Sequence, residues 1–412
     1  MATAQGKSLL IVVVILLIVG VSAVLLFREA DSTDAIAPDG AHRVGVRIAP
    51  VEYGKRKMPV MMWYPAEPEP GAATYLYNSK IRGSAVLNAP PDRREAPYPL
   101  VVFSHGLGEC GCMSVYYTEN LASFGYVVVA PDHRDSMMCH IEGEPDITFA
   151  QMTVSAMRSM GDLNETVATL FGDYLAEINY DFSYRALEAK AVLDRVLEWN
   201  REPGSSLRGM IDPERVGMTG HSLGGFTSLV VGGLPFRCDV KERRPGECDS
   251  QNASLDTVDF CCMDAIRKLE DPFQLRDRRV KAILPMGPAM FFPKLEVAAT
   301  ELETPIMTIT GDDERMEVPW KPIWTLHTNA PSPKYVIRLR ETDHMTIADF
   351  LVTRAVTRPL YPGYRFNFEE KAQAYKDYSV AFFDLHLKGE ETRTAILRKP
   401  SNRFVELWQD TG

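Results

Sequence analysis

Basic residues do not dominate this chain. Its 45 lysines and arginines fall short of its 55 aspartates and glutamates, a net charge of −10. No basic stripe gathers on any segment, which argues against a nucleic-acid partner. Cysteine is scarce, with 7 in 412 residues, and no Cys-x-x-Cys spacing occurs, so a zinc site is not expected. An odd count leaves at least one cysteine unpaired or bonded to another chain. No internal repeat is present, which sets aside solenoids and propellers.

One long apolar run is present. Ser8–Phe27, "SLLIVVVILLIVGVSAVLLF", reaches the roughly 20 residues that a bilayer-spanning helix needs. It lacks the polar face of a core helix. Lys7 precedes it, which favours a single-pass anchor with the rest of the chain outside the cytoplasm. Val21-Ser22-Ala23 keeps a cleaved signal peptide open, and with it a secreted or periplasmic protein. No cysteine lies in or just after the run, against a lipoprotein. The sequons at Asn164 and Asn252 and the cluster Cys238, Cys248, Cys261 and Cys262 fit export and disulfide formation.

The expected organisation is a tail over 1–7, the anchor over 8–27, a linker over 28–42, one large domain with two insertions over 43–400 and a C-terminal tail over 401–412. Within the domain, "HRVGVRIAPVEYGKRKMPVMMWYPA" reads as an antiparallel hairpin. "PLVVFSH", "YVVVAPDH", "RVGMTGHS", "RVKAILPMG", "TPIMTITGDDE" and "KYVIRLRETDH" are short apolar runs that alternate with helical patterns. That alternation predicts a mostly parallel sheet with helices on both faces. Met137, Met138, Met152, Met157 and Met160 mark an insertion over about 136–180, read as a lid against ordinary core packing. A second insertion covers about 235–271. "SYRALEAKAVLDRVLEWN" is an amphipathic helix, with Ser183 or Asp181 as its cap.

Chemistry concentrates where a strand breaks. "GHSLGG" places Ser222 between Gly220 and Gly224, the Gly-x-Ser-x-Gly pattern of a nucleophile elbow. A serine hydroxyl needs a base, and His344, after the strand "KYVIRLRETDH", has the position for it. His221 adjoins the serine on a turn that should point it away. His105 sits in "FSHGLGECGC", a loop placed to supply one backbone N–H of an oxyanion hole, from Leu107; Leu223, after the nucleophile, supplies the other. The third triad member is less determined. "LPMGPAMFFP", after the sixth strand, has no carboxylate. "TGDDERMEVP", after the seventh, offers Asp312, Asp313 and Glu314. Spacing from Gly311 favours Glu314; the commoner use of aspartate favours Asp313.

Read in order, "YPLVVFSHGLG", "LASFGYVVVAPDHRD", "GHSLGG" and "DHMTIADF" resemble the platelet-activating factor acetylhydrolase family of serine esterases, also called lipoprotein-associated phospholipases A2. The resemblance implies an α/β-hydrolase fold. It assigns Ser222 as nucleophile, His344 as base and the Leu107 and Leu223 amides as oxyanion donors. It implies phospholipid substrates with short or oxidised acyl chains, and no metal or other cofactor. The animal enzymes carry their acid after the sixth strand, where this chain has Pro288; bacterial and dienelactone-hydrolase-like relatives use the later position. A dienelactone-hydrolase-like or polyester esterase therefore stays open, as does a non-catalytic adhesion or receptor domain with the same fold.

Overall fold

The structure of the chain is a computed structural model. It describes residues 33–78, 81–148, 151, 155, 163–178, 181–236, 269, 271–290, 292, 294–312, 320–349 and 367–412. The apolar run Ser8–Phe27 and the cysteines at 238, 248, 261 and 262 lie outside them. Among the described residues no helix is long and apolar enough to cross a membrane.

The first two long strands, β1 (Arg43–Tyr53) and β2 (Arg56–Ala66), pair antiparallel along their whole length. Gly54 has φ of 60°, a value glycine adopts without cost, and it heads the two-residue turn that holds the register. Two short strands follow, β3 (Tyr98–Ser104) and β4 (Val127–Pro131), in which every residue is buried. Helices on both faces of a parallel sheet require this, and it is why these runs show no polar alternation. The other strands of the main sheet that carry labels are β5 (Ile211–His221), β6 (Val280–Met286), β7 (Ile306–Gly311), β8 (Lys334–Leu339) and β9 (Val405–Asp410), while Thr33–Asp34, Ile81–Arg82 and Leu76–Tyr77 form a small separate sheet.

In space the order is β9-β8-β7-β6-β5-β3-β4-β2-β1, with Val86–Leu87 added at the β1 edge. From β4 through β3 to β8 every pairing is parallel; β2 and β9 join antiparallel. The longer helices among the described residues are α1 (Val115–Ser123), α2 (Leu163–Glu177), α3 (Ser183–Trp199), α4 (Leu223–Gly232), α5 (Trp320–Asn329) and α6 (Phe368–Phe383). Asp181 accepts the Ser183 amide at 2.9 Å, so it, and not Ser183, closes the start of α3.

Two expected boundaries change. The C-terminal segment over 401–412 is not a tail: β9 pairs with β8 from Lys334↔Asp410 to Leu339↔Val405. The described part of the linker is docked. Asp39 and Gly40 donate their amides to the side chains of Asn120 and Ser123 on α1, and Lys376 of α6 pairs with Asp39 at 2.7 Å.

A disulfide joins Cys110 to Cys139. It links the loop after β3 to the loop after β4. Neither cysteine belongs to the cluster that the sequence brings forward.

Candidate active site

The site is assembled at the carboxyl ends of β3, β5 and β8. Ser222 stands between β5 and α4 with φ 53° and ψ −115°. A non-glycine residue in that region costs about 1–3 kcal/mol, so its surroundings must impose it. They do so through the Ser222 amide, which donates to Met286 O at 2.9 Å, and its carbonyl, which accepts from Ala289 N at 3.0 Å. The flanking glycines follow from close approach. A Cβ on Gly224 would stand 1.8 Å from Ser104 O, and one on Gly220 would stand 2.5 Å from the same atom. Strand β3 thus passes directly against the elbow.

The loop after β3 holds Leu107. Neither the Leu107 amide nor the Leu223 amide has an acceptor among the described residues, so both are free to meet a developing oxyanion. The loop is braced from below by Arg185 of α3, which is completely buried. Its guanidinium donates to His105 O at 2.5 Å and Gly106 O at 3.0 Å, and pairs with Asp135. Burial alone would raise the Asp135 carboxyl; Arg185 outweighs it and holds the group well below the usual carboxylate range. The His105 ring donates from Nδ1 to Gly106 O at 2.7 Å and accepts the His133 amide at Nε2. His133 in turn spans Ser104 Oγ at 2.9 Å and Glu188 at 2.8 Å. Burial, with Arg185 nearby, pushes both imidazoles well below their ordinary pKa. They are neutral framework groups. Above the loop, a Cβ on Gly108 would meet the Phe171 ring of α2 at 2.3 Å, so the inserted segment lies directly on the oxyanion turn.

His344 lies five residues past β8. Its ring packs against that of His221, the residue before Ser222, with centroids 4.5 Å apart. Burial, and then His221 alongside, push its pKa well below the ordinary value. Its Nδ1 is sealed from solvent and has no hydrogen-bond partner among the described residues. That is where a triad acid belongs. Asp312 does not fill the place: its Oδ1 faces the Thr342 amide at 3.4 Å while its own amide donates to Thr342 O at 3.1 Å. Asp343 accepts Met345 N at 2.9 Å and Thr346 Oγ1 at 3.2 Å, shaping the turn around the histidine. Asp313 and Glu314 lie outside the described residues. Past β6 the chain runs through Gly287 and Pro288, which lies against Gly225.

His221, set aside in the sequence as a neighbour that points away from the serine, is engaged at both ring nitrogens. Its Nδ1 meets Glu109 at 2.9 Å and its Nε2 meets His344 O at 2.7 Å. Among the described residues no group of three or more His, Cys, Asp or Glu is placed to hold a metal ion.

Strand order, the turn at Ser222 and the loop after β3 define an α/β-hydrolase fold. A ferulic acid esterase from Streptomyces cinnamoneus has this fold: it superposes with a TM-score of 0.58 at 21% identity, covering 92% of this chain and 100% of that one. The narrower resemblance is borne out too. Residues 70–143 match the family model "Platelet-activating factor acetylhydrolase, isoform II". The platelet-activating factor acetylhydrolase of Canis lupus familiaris is 27% identical over 164 residues, 36% of each chain. That of Cavia porcellus is 29% identical over 174 residues, 40% of this chain and 38% of the relative. These matches span little more than a third of the relatives' length. The family-model segment holds the oxyanion loop, the Cys110–Cys139 link and His133.

Proposed function

We propose that the protein is a serine carboxylic-ester hydrolase of the platelet-activating factor acetylhydrolase type, a phospholipase A2-like enzyme that removes short or oxidised acyl chains from phospholipids. The observation that carries the reading is the elbow. Ser222 is held at positive φ between a strand and a helix, with the Leu107 N–H of the loop after β3 and the Leu223 N–H at the start of α4 free of acceptors among the described residues.

The chemistry follows from the parts. Ser222 Oγ bonds to the ester carbonyl carbon as its proton passes to His344 Nε2, and the carbonyl oxygen becomes an oxyanion held by the two amides. The tetrahedral intermediate collapses, the bond to the alcohol oxygen breaks, and His344 returns its proton to that oxygen. Water then repeats the sequence on the acyl-serine, releasing the acid. The acid facing His344 Nδ1 is assigned to Asp313 or Glu314. No metal or other cofactor enters the reaction. Each oxyanion donor is worth about 2.7–4 kcal/mol in related chemistry.

The substrate class rests on the similarity to the acetylhydrolases, in the segment that includes the oxyanion loop. Ser8–Phe27 is read as a membrane anchor that keeps the enzyme near its phospholipids, with the catalytic part outside the cytoplasm. The test compares wild type with Ser222→Ala on a 2-acetyl phosphocholine lipid, a long-chain phosphatidylcholine, a soluble aryl ester and a lactone. Hydrolysis of the 2-acetyl lipid, lost in Ser222→Ala, supports the proposal. Turnover of only the aryl ester or lactone would replace the lipid reading with a soluble-ester one. No turnover and no labelling by a fluorophosphonate would refute catalysis.

A further inference from the structure

His221 and Glu109 are both almost completely buried, at 1% and 2% exposure, and the reaction written above uses neither. Burying an acid and an imidazole together is costly unless the pair does something. Their contacts reach all three moving parts of the site. Glu109 Oε2 accepts the Gly106 amide at 2.7 Å, one residue before the oxyanion donor Leu107. Glu109 Oε1 meets His221 Nδ1 at 2.9 Å. His221 Nε2 meets the carbonyl of His344 at 2.7 Å, and Ser222 is the next residue after His221. A carbonyl oxygen only accepts, so Nε2 bears a proton and donates it. Burial would raise Glu109, but His221 beside it and the Gly106 amide hold its pKa down, so it stands as a carboxylate and accepts.

We infer that Glu109 and His221 are positioning residues: a hydrogen-bonded strap that sets the oxyanion loop and the general base in register around the nucleophile. The inference rests on the ester-hydrolase reading for its kinetic consequence, though not for its geometry. Nothing else described performs this task. Arg185 braces the oxyanion loop from α3, and Asp349 accepts the Tyr116 amide at 2.7 Å, tying the base loop to α1, but only the strap joins both loops to the elbow. A misplacement of about 1 Å at a reacting centre costs about 10²-fold in rate. The strap's hydrogen bonds run to the protein's own loops, so its loss is expected to fall on kcat more than on KM.

The experiment uses the full chain, with circular dichroism as the control for folding. Glu109→Ala removes both acceptors. It is expected to lower kcat on p-nitrophenyl acetate about 10- to 100-fold and to leave KM within about twofold. Glu109→Gln keeps an acceptor for Gly106 N–H and offers an amide N–H to His221 Nδ1. The neutral ring then still donates from Nε2 to His344 O, and most of the kcat lost in the alanine variant should return. Equal losses in the two variants, or an alanine variant with wild-type kcat, would overturn the inference. A second measurement needs no turnover and no folded alanine variant. In the Ser222→Ala protein with nitrogen-15-labelled histidine, the His221 Nε2 proton should be protected from exchange and coupled across its hydrogen bond to the His344 carbonyl. Exchange as fast as in free imidazole would refute the strap. An inert wild-type protein that shows the coupling would refute the ester-hydrolase reading and leave the strap standing.

Discussion

Replacing Arg185 by methionine should be among the costliest single changes in this protein. Methionine keeps an unbranched stem of similar length and removes every donor. The His105 carbonyl and the Asp135 carboxylate then lose the guanidinium, and the Gly106 carbonyl keeps only His105 Nδ1 and the Glu109 amide. Asp135 is completely buried, and its remaining contact is the Gly108 amide at 3.3 Å. Removing one partner of a buried ion pair costs about 3–5 kcal/mol, because the survivor stays charged and uncompensated. With an unfolding entropy of about 2.1 cal/mol/K per residue, a chain of this length has roughly 0.9 kcal/mol/K at its midpoint. The melting temperature of Arg185→Met should therefore fall by about 3–6 °C. Differential scanning calorimetry at pH 7.5 reads this directly. Adding Asp135→Asn to Arg185→Met removes the stranded charge and should recover about half of the loss. A single variant that melts within about 1 °C of wild type would show that the pair is not worth what a buried pair is worth. An unchanged double variant would place the cost in packing and not in charge.

The triad acid is the next expectation. Asp312→Asn should keep most of its turnover, because Asp312 is engaged at Thr342, whereas Asp313→Asn or Glu314→Gln, one of the two, should lose up to about 10⁴-fold on a short-chain ester. If all three amides stay active, the acid lies elsewhere. The pH profile follows from His344. A general base works unprotonated; burial and His221 hold its pKa below the ordinary value, and a carboxylate facing Nδ1 raises it. Changing the triad acid to its amide should therefore move the acid limb of kcat/KM to lower pH, and a limb that does not move in either Asp313→Asn or Glu314→Gln would contradict the assignment.

The strands that carry the site were legible because full burial writes a plain signal: "YPLVVFS" and "VVVAP" have no polar face to confuse with a helix. The elbow was legible for a related reason, since only glycine tolerates the approach of Ser104 to positions 220 and 224. What escaped the sequence depends on direction and on distance along the chain. His221 looked idle because the path of a side chain leaving a turn is not encoded in its neighbours, and its partner Glu109 lies 112 residues away. The Cys110–Cys139 link was hidden because a denser group of cysteines further along drew attention. Strand β9 escaped because "VELWQD" is an edge strand with an exposed end and only one buried residue, so its pattern reads as a polar tail.

The strand that bears the nucleophile lies in the interior of the sheet, between β3 and β6. Its two neighbours are made at very different times. β3 is already complete when β5 leaves the ribosome, but β6 begins only at Val280, ~60 residues after His221. At about 5–20 residues per second, β5 waits roughly 3–12 s as the unprotected border of a half-built sheet. That border is buried in the finished protein from Val216 to His221, and an unpaired strand edge is the kind that captures other chains. Slowing translation between 221 and 280 should lower the soluble yield, and binding of a chaperone to nascent chains should peak over that same interval.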